Sequence, residues 1–319
     1  MLVWIVFIAL IFVFLALDLG IFNRNPHVIS TKEALRWTAL WVSLSLVFSG
    51  VIFILYKKGI TDNFLNLTPT QAVVKYITGY LIELSLSIDN VFVIALIFAS
   101  FSIPAKYQHR VLFWGILGAI IFRGLMLFFG IALIRKLSWS IYIFGGFLIY
   151  TALKMLFSGE QEVKTEDSKL IRLVKRFFPV TSEIESSAFF IKKQHILYAT
   201  PLFLAMLVIE SADVIFALDS IPAILAITTD PFIVFSSNIF AILGLRSLYF
   251  ALAGMIRKFY YIKYSLIVIL AFVGVKMIIS HHVELPEWLS LSVVAVALAA
   301  GILYSRYKSG SDQEPAHRE

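Results

Sequence analysis

Nine long apolar blocks, separated by polar segments, cover most of the chain. A helix needs about 20 apolar residues to cross the hydrocarbon core of a membrane. Within each block the apolar residues run continuously and do not alternate over ten-residue segments, which favours helices over a membrane barrel. The pattern therefore predicts an all-α membrane protein with about nine transmembrane helices. The predicted spans are roughly 1–22, 36–56, 73–99, 111–134, 139–157, 196–226, 232–256, 262–280 and 286–306.

Composition and charge support this class and predict an orientation. Hydrophobic residues make up 60% of the 319 residues and charged residues 15%, whereas soluble domains have roughly 25% charged residues. With the N-terminus outside, eighteen Lys and Arg residues fall in cytoplasmic segments and four in external loops. The positive-inside rule thus favours an external N-terminus and a cytoplasmic C-terminus. Because the net charge of +7 lies in these loops, we expect a lipid bilayer as partner and no nucleic acid.

Two stretches of the chain share one order of polar residues within apolar sequence. The first contains ELSLSIDNVFVIAL, IIFRGLMLF and IYTALKMLF, and the second contains DVIFALDSIPAIL, ILGLRSLYF and AFVGVKMII. The corresponding pairs are Glu83 with Asp213, Asp89 with Asp219, Asn90 with Ser220, Arg123 with Arg246, and Lys154 with Lys276. Each stretch holds three spans, an odd number, so the two copies insert in opposite orientations. The sequence predicts an inverted repeat of three plus three helices, an architecture common in transporters.

The repeat divides the chain into five parts. The predicted parts are 1–72 with the first two transmembrane helices, 73–157 with the first repeat, 158–195 as a cytoplasmic linker, 196–280 with the second repeat, and 281–319 with the last helix and a cytoplasmic tail. The linker is rich in charges of both signs. It is either a solvated connection or carries a short amphipathic helix at 168–178 that lies on the membrane surface.

Carboxylates inside the spans are the main candidates for function. Span three holds Glu83 and Asp89, and span six holds Glu210, Asp213 and Asp219. Each charge at the centre of a span costs about 2.5–3.5 kcal/mol, so such residues usually serve a function, and the acids need protonation, a cation or a basic partner. Residues six apart point about 120° away from each other on a straight helix. We therefore expect a local break, assisted in span six by Pro222, to bring the acids together.

All candidate ligands carry oxygen donors, and the chain has no cysteine and only peripheral histidines. Oxygen donors suit Mg²⁺, Ca²⁺ or Mn²⁺. The candidate metal ligands are Glu83, Asp89, Asn90, Glu210, Asp213, Asp219 and Ser220, and the candidate charge-compensating residues are Arg123, Arg246, Lys154 and Lys276. The alternative is that these basic residues pair with the acids and only hold the helices together. Whether Asp18 joins the site stays open, and Asp230 is expected to be an ordinary loop acid.

The motifs resemble those of the TerC family of bacterial membrane proteins, in particular its Alx-like branch. The resemblance rests on GYLIELSLSIDNVFV at 79–93, RVLFWGILGAIIFR at 110–123 and the long segment 198–254, and it extends over nearly the whole chain. It implies a multi-pass protein of the bacterial inner membrane within the LysE-like transporter superfamily. The metal candidates match the acidic motif positions of that family.

The function implied by this resemblance is export of divalent metal ions, most of all Mn²⁺, by a secondary transporter. The alternatives are transport of Ca²⁺ or another cation or solute, and a non-transporting membrane scaffold linked to metal or tellurium stress. We expect no permanently bound cofactor. The sequence shows no nucleophile–base constellation, so we do not expect an enzyme. Ligand chemistry does not separate Mn²⁺ from Ca²⁺, and the oligomeric state stays open.

Overall fold

Local capping chemistry and proline mark the start of several of the helices. Thr68 accepts a hydrogen bond from the backbone N–H of Gln71 at 3.3 Å, and the Gln71 side chain accepts one from the backbone N–H of Thr68 at 2.9 Å. This reciprocal capping box satisfies two backbone donors at a helix start. Proline then occupies the first helical position at Pro69, Pro201 and Pro231, where its missing N–H is not needed.

The computed structural model describes residues 2–17, 28–137, 139–157, 178–181, 184, 186–193, 196–253, 262–279 and 285–311. The helices in these ranges are α1 Leu2–Leu17, α2 Thr31–Lys57, α3 Pro69–Ser100, α4 Ala105–Lys136, α5 Ser140–Phe157, α6 Pro201–Leu225, α7 Pro231–Ala253, α8 Ile262–Ile279 and α9 Glu287–Ser311. Seven of them are long and apolar enough to cross a membrane. The predicted all-α membrane fold is confirmed.

A small antiparallel hairpin precedes the second repeat. Its strands are β1 Phe190–Lys193 and β2 Ile196–Ala199, with Phe190 opposite Ala199. The sequence prediction missed both strands and began the sixth span at residue 196, within β2. The apolar residues of this strand extend the hydrophobic block, but the helix itself begins at Pro201. The amphipathic helix expected at 168–178 falls almost wholly outside the described residues.

The helices pair as an inverted repeat requires. Helix α4 runs parallel to α6, since Gly115 lies beside Ile209 whereas Gly130 lies beside Leu225. Helix α3 likewise runs parallel to α7, since Gly79 lies beside Ser237 whereas Phe98 lies beside Tyr249. Two repeats of equal orientation would place each of these pairs antiparallel, because neighbouring helices in a repeat alternate in direction. The parallel packing therefore reflects the inversion.

The third helices of the two repeats, α5 and α8, pack closely against each other. A Cβ atom at Gly145 would lie 2.9 Å from the carbonyl oxygen of Gly274, and one at Gly274 would lie 2.9 Å from the carbonyl oxygen of Gly145. Small residues let the backbones of membrane helices approach in this way. Leu148 is fully buried beside this contact. The α5–α8 pair thus joins the repeats by close backbone packing.

Helices outside the repeats cover the core on two sides. Helix α2 packs on α3 and α7, and α9 packs on α8 and α3. Phe7 of α1 lies between Phe48 and Phe232, with ring centroids 5.4 and 5.5 Å away. Helix α7 is the most enclosed of the candidate spans, with 89% of its apolar window buried. This enclosure explains why its polar residues need partners within the protein.

The molecule has two ends, which we name the linker face and the Asp230 face. At the linker face, Arg110 near the start of α4 donates to Ser187 at 2.8 Å. At the Asp230 face, Lys75 donates to the carbonyl of Ile227 at 2.9 Å, and Arg135 donates to the carbonyl of Thr229 at 3.3 Å. Helices α3 and α6 run between the two faces without interruption. The expected local break is therefore not present, and Pro222 sits within the last turn of α6.

Candidate functional site

Arg123 lies at the crossing of the two repeats and binds an acid from each. Its Nη1 donates to Glu83 Oε1 on α3. Its Nη2 and Nε donate to the two oxygens of Asp213 on α6, at 2.7 and 3.2 Å. The Arg123 and Glu83 side chains are each 1% exposed. This bidentate, charge-assisted geometry is the strong form of an ion pair. The predicted charge-compensating role of Arg123 thus has a geometric basis.

A cavity adjoins this ion-pair network on the side of the linker face. It has about 30 Å³ of water-accessible space between α3, α4, α6 and α7. Its polar lining comes from Asn90, Asp213 and Arg246, and the rest is apolar. A cavity needs roughly 10–15 Å³ to admit a water-sized group. The space is therefore large enough for a water molecule or a dehydrated metal ion next to Asp213.

Glu210 lies one turn before Asp213 and points over the glycines of α4. Its carboxylate packs directly on the Cα of Gly118, where a Cβ atom would overlap it, and a Cβ at Gly115 would lie 4.0 Å from Oε1. Glu210 and Asp213 share one face of α6, as their spacing of three predicts. The absence of side chains at these two glycines makes the room that the Glu210 carboxylate occupies.

Several buried oxygens at the crossing have no hydrogen-bond partner within the described part of the chain. Buried polar groups are paired in the large majority of cases, and each exception needs an explanation. Such a concentration of unpaired acceptors and hydroxyls on α3 and α6 is explained by bound water or by a bound ion. The atoms are Glu83 Oε2, Ser85 Oγ, Ser87 Oγ, Asn90 Oδ1, Glu210 Oε2 and Ser220 Oγ.

Asp219 and Asp213 point to different neighbours, as residues six apart on a continuous helix should, because they lie about 120° apart around its axis. Asp219 Oδ1 accepts a hydrogen bond from Thr151 of α5 at 3.0 Å, whereas Asp213 faces α4. Lys154, one turn further along α5, is exposed and interacts electrostatically with Asp219. The conformation therefore does not gather the predicted ligands of α6 at one point. The side chain of Asp89 and the whole of Asp18 lie outside the described structure.

The repeat lysines differ in their environments. Lys276 is buried on α8 and donates to Ser290 of α9 at 2.7 Å. Lys154, its counterpart, is exposed. Among the described side chains, no three Asp, Glu or His residues form a group that could hold a metal ion. The predicted metal site is thus not assembled in this conformation, in which Arg123 is paired with Glu83 and Asp213.

The sequence prediction for Asp230 was wrong, because this residue is a buried helix cap. It is fully buried rather than an ordinary loop acid, and its Oδ1 accepts from the backbone N–H groups of Phe232 and Ile233 at 3.1 Å each. Burial raises the pKa of the carboxyl, against the opposing effects of these N–H donors and of the nearby Arg135. The Asp–Pro pair before an apolar block is a helix N-cap signal that could have identified this role.

Comparison with known proteins gives a consistent family. The chain matches the model for the integral membrane protein TerC family over residues 68–313. It is 50% identical over 306 residues to an uncharacterized membrane protein of Myxococcus xanthus, covering 96% of this chain and 92% of that protein. It is 45% identical over 296 residues to the putative membrane-bound redox modulator Alx of Escherichia coli K12, covering 92% of this chain and 90% of that protein.

A membrane protein of Rickettsia bellii is 43% identical over 302 residues, covering 95% of this chain and 96% of that protein. No solved structure matches. The family match covers both repeats and the last helix. With nearly full-length similarity to these bacterial membrane proteins, the chain belongs to the integral membrane protein TerC family.

Proposed function

We propose that this protein is a secondary transporter that exports divalent metal ions from the cytoplasm, with Mn²⁺ as the preferred substrate. The observation that supports this most is the charge balance at the repeat crossing. The described parts of α3 and α6 bring Glu83, Glu210 and Asp213 to this region, against the positive charges of Arg123 and Arg246, whereas Asp219 lies apart beside Lys154. An excess negative charge inside a membrane protein is costly. A bound cation would compensate it, and hard oxygen donors suit Mn²⁺ as well as Ca²⁺.

The bound cation displaces Arg123 from the acids. Asp213 uses both of its oxygens for Arg123, so a metal that enters from the adjoining cavity competes directly with the guanidinium. Asn90 Oδ1 lines the same cavity without a partner among the described residues and would serve as a neutral ligand. Asp89 and Asp219 then complete the oxygen set after a rearrangement of the repeats.

Alternating access follows from movement of one three-helix repeat against the other. The sequence contains no phosphate-binding loop of the GxxxxGK[ST] type, which favours a proton gradient or the membrane potential as the energy source. An acid that releases a metal on the outside can take up a proton there and return with it. Exchange of a metal ion for protons is therefore the natural form of coupling for this site.

The proposed orientation places the linker face in the cytoplasm of a bacterium and the Asp230 face outside the inner membrane. The excess of Lys and Arg residues in segments at the linker face supports this. The cavity then lies on the side from which an exporter takes its substrate. Reporter fusions at the two termini test this orientation, and an active alkaline phosphatase fusion at the C-terminus would contradict it.

Mn²⁺ accumulation in bacteria that lack their own exporters tests the function. Cells that produce the protein should contain less Mn²⁺ and survive higher external Mn²⁺ than cells with an empty vector. Asp213→Asn and the double variant Asp89→Ala with Asp219→Ala should abolish this effect. The exposed loop acid Asp62 provides the matched control, and Asp62→Asn should export normally. Normal export by both site variants would rule out the proposed site.

Two alternatives give different results in related assays. A Ca²⁺ transporter should bind Ca²⁺ more tightly than Mn²⁺ in a competition series on purified protein. A membrane scaffold should retain its cellular effect in every site variant that still inserts. The E. coli relative is named a putative redox modulator. A thiol-based redox role has no residue to carry it in this chain, because the chain contains no cysteine.

A further inference from the structure

The ion-pair network at the crossing breaks the symmetry of the repeat. Glu83 corresponds to Asp213, and Arg123 corresponds to Arg246. Arg123 binds both acids of this pair. The mirror image of this arrangement is therefore one in which Arg246 binds the same two acids. Because Arg123 already bonds to both oxygens of Asp213, a guanidinium in the mirror position would compete with it for the same two acids.

The packing around the network shows the same asymmetry. On the linker side, the cavity is lined by Ile94, Gly115 and Ala119. The corresponding positions on the Asp230 side are, in the same order, Ile224, Asn238 and Ile242. These three residues are at most 1% exposed. The side chain of Ile224 fills the space above Gly79. Ile94 and Ala119 are themselves only 5% and 4% exposed, so the difference lies in the cavity of about 30 Å³ beside Arg246. We call the half with this cavity the open half and the half beside Arg123 the packed half.

We propose that Arg123 and Arg246 bind the Glu83–Asp213 pair alternately, and that this exchange switches the protein between states open to the linker face and to the Asp230 face. The arginine that holds the acids belongs to the packed half, and its counterpart lines the open half. The inference rests on the proposed transport function, of which it specifies the conformational switch. Both arginines are positioning residues here, since neither is required to touch the transported ion.

This exchange gives a physical reason for coupling between substrate and conformation. Two buried acids without a counter-charge are strongly disfavoured. The pair is therefore held by one arginine, by the other, or by a cation, and the passage between states is easiest when a cation or protons replace the arginine. A ligand shifts such an equilibrium only through different affinities for the two states. The Glu83–Asp213 pair binds Arg123 in one state and a cation in the other. The cation therefore has different affinities for the two states.

Cysteine reactivity tests the exchange, because the natural chain has no cysteine. Ile94→Cys reports on the cavity, and Ile224→Cys reports on its packed counterpart. Full-length protein in lipid nanodiscs is labelled with a hydrophilic methanethiosulfonate, and the reaction rate is measured for each reporter. Asp62→Cys in an exposed loop is the control whose rate stays constant. In the otherwise unchanged protein, Ile94→Cys should react faster than Ile224→Cys.

The two arginine substitutions should shift the reporters in opposite directions. Arg123→Gln should slow Ile94→Cys and accelerate Ile224→Cys by about tenfold, the size expected when a state populated at a few per cent becomes the major one. Arg246→Gln should slow Ile224→Cys and leave Ile94→Cys as fast or faster. Substitution of each arginine by lysine keeps the charge and should shift the same rates in the same direction by a smaller factor.

Reporters that move in the same direction in both arginine variants, or in neither, would overturn the exchange. The lysine variants keep the test decisive if a glutamine variant does not yield monodisperse protein. The reactivity assay does not require metal transport, so its failure is distinct from failure of the proposed function. Opposite shifts in nanodiscs together with no Mn²⁺ export in the cellular assay would support the switch and reject the proposed substrate. Mn²⁺ export without opposite shifts would support the proposed substrate and reject the switch.

Discussion

Replacing Arg123 with glutamine would leave two acids at the centre of the protein without their counter-charge. The guanidinium donates three hydrogen bonds, one to Glu83 and two to Asp213, and it is 1% exposed. Removal of one partner from a buried ion pair typically costs about 3–5 kcal/mol, mostly because the remaining charge stays buried. We expect a loss of this size in Arg123→Gln.

Neutralising the acids in the same chain separates charge from packing. The triple variant Arg123→Gln, Glu83→Gln and Asp213→Asn keeps similar side-chain shapes and retains hydrogen-bonding groups worth about 0.5–1.5 kcal/mol each. It should therefore be more stable than Arg123→Gln alone by about 2 kcal/mol, because no uncompensated charge remains. Such a reversal is the mark of residues that act as one network rather than as independent contacts.

The assay is thermal unfolding of purified protein in detergent. The quantity measured at each temperature is the fraction of protein that stays monodisperse after heating. Arg123→Gln should lower the midpoint by on the order of 10 °C, and the triple variant should recover part of this loss. The exposed Arg36 offers a control, since Arg36→Gln should change stability by less than about 0.5 kcal/mol. A triple variant less stable than Arg123→Gln would refute the electrostatic reasoning and assign the role of Arg123 to packing.

Three further predictions concern single positions. Gly118→Ala should displace the Glu210 carboxylate and reduce Mn²⁺ export in the cellular assay, whereas Gly146→Ala should have no effect because its Cβ meets nothing within 4 Å. Gly274→Ala should destabilise the protein by about 1–3 kcal/mol, measured as a lower unfolding midpoint, because its Cβ would lie 2.9 Å from the carbonyl oxygen of Gly145 on α5. Asp230→Asn should keep the helix cap. The native protein should lose stability as pH rises, and Asp230→Asn should lose less.

The sign of the pH effect follows from the direction of the pKa shift. Burial raises the pKa of Asp230 in the folded protein, so the folded state holds the proton more tightly than the unfolded state. Stability therefore falls as pH rises from the unfolded pKa of about 3.9 through the raised folded value. As pH rises across this range, the unfolding midpoint of the native protein should fall further than that of Asp230→Asn.

Each of these predictions has a clear contrary result. Equal export by Gly118→Ala and Gly146→Ala would show that the Glu210 position is not needed for transport. An unchanged midpoint in Gly274→Ala would show that α5 and α8 can separate without cost. Parallel pH curves for the native protein and Asp230→Asn would show that Asp230 has no raised pKa.

The number of helices and the repeat could be predicted from the sequence because both are written in local patterns. A span needs a run of apolar residues whatever its neighbours, and the pairs formed by Arg123 with Arg246 and Glu83 with Asp213 stand out against apolar sequence. The hairpin could not be distinguished from the helix that follows, since a short apolar strand extends the same hydrophobic block. The capping role of Asp230 was readable from its Asp–Pro pair but was not recognised.

The arrangement of the acids depended on tertiary structure. Sequence chemistry alone identified the acids of α3 and α6 as costly residues that need partners, and helix geometry alone set Asp213 and Asp219 about 120° apart. Which partner each acid meets was decided by packing, because the inverted repeat brings α4 to one face of α6 and α5 to another. Asp213 therefore binds Arg123, and Asp219 binds Thr151. Residues 90 and 68 positions apart in the chain meet only through the fold, and no local pattern encodes such a meeting.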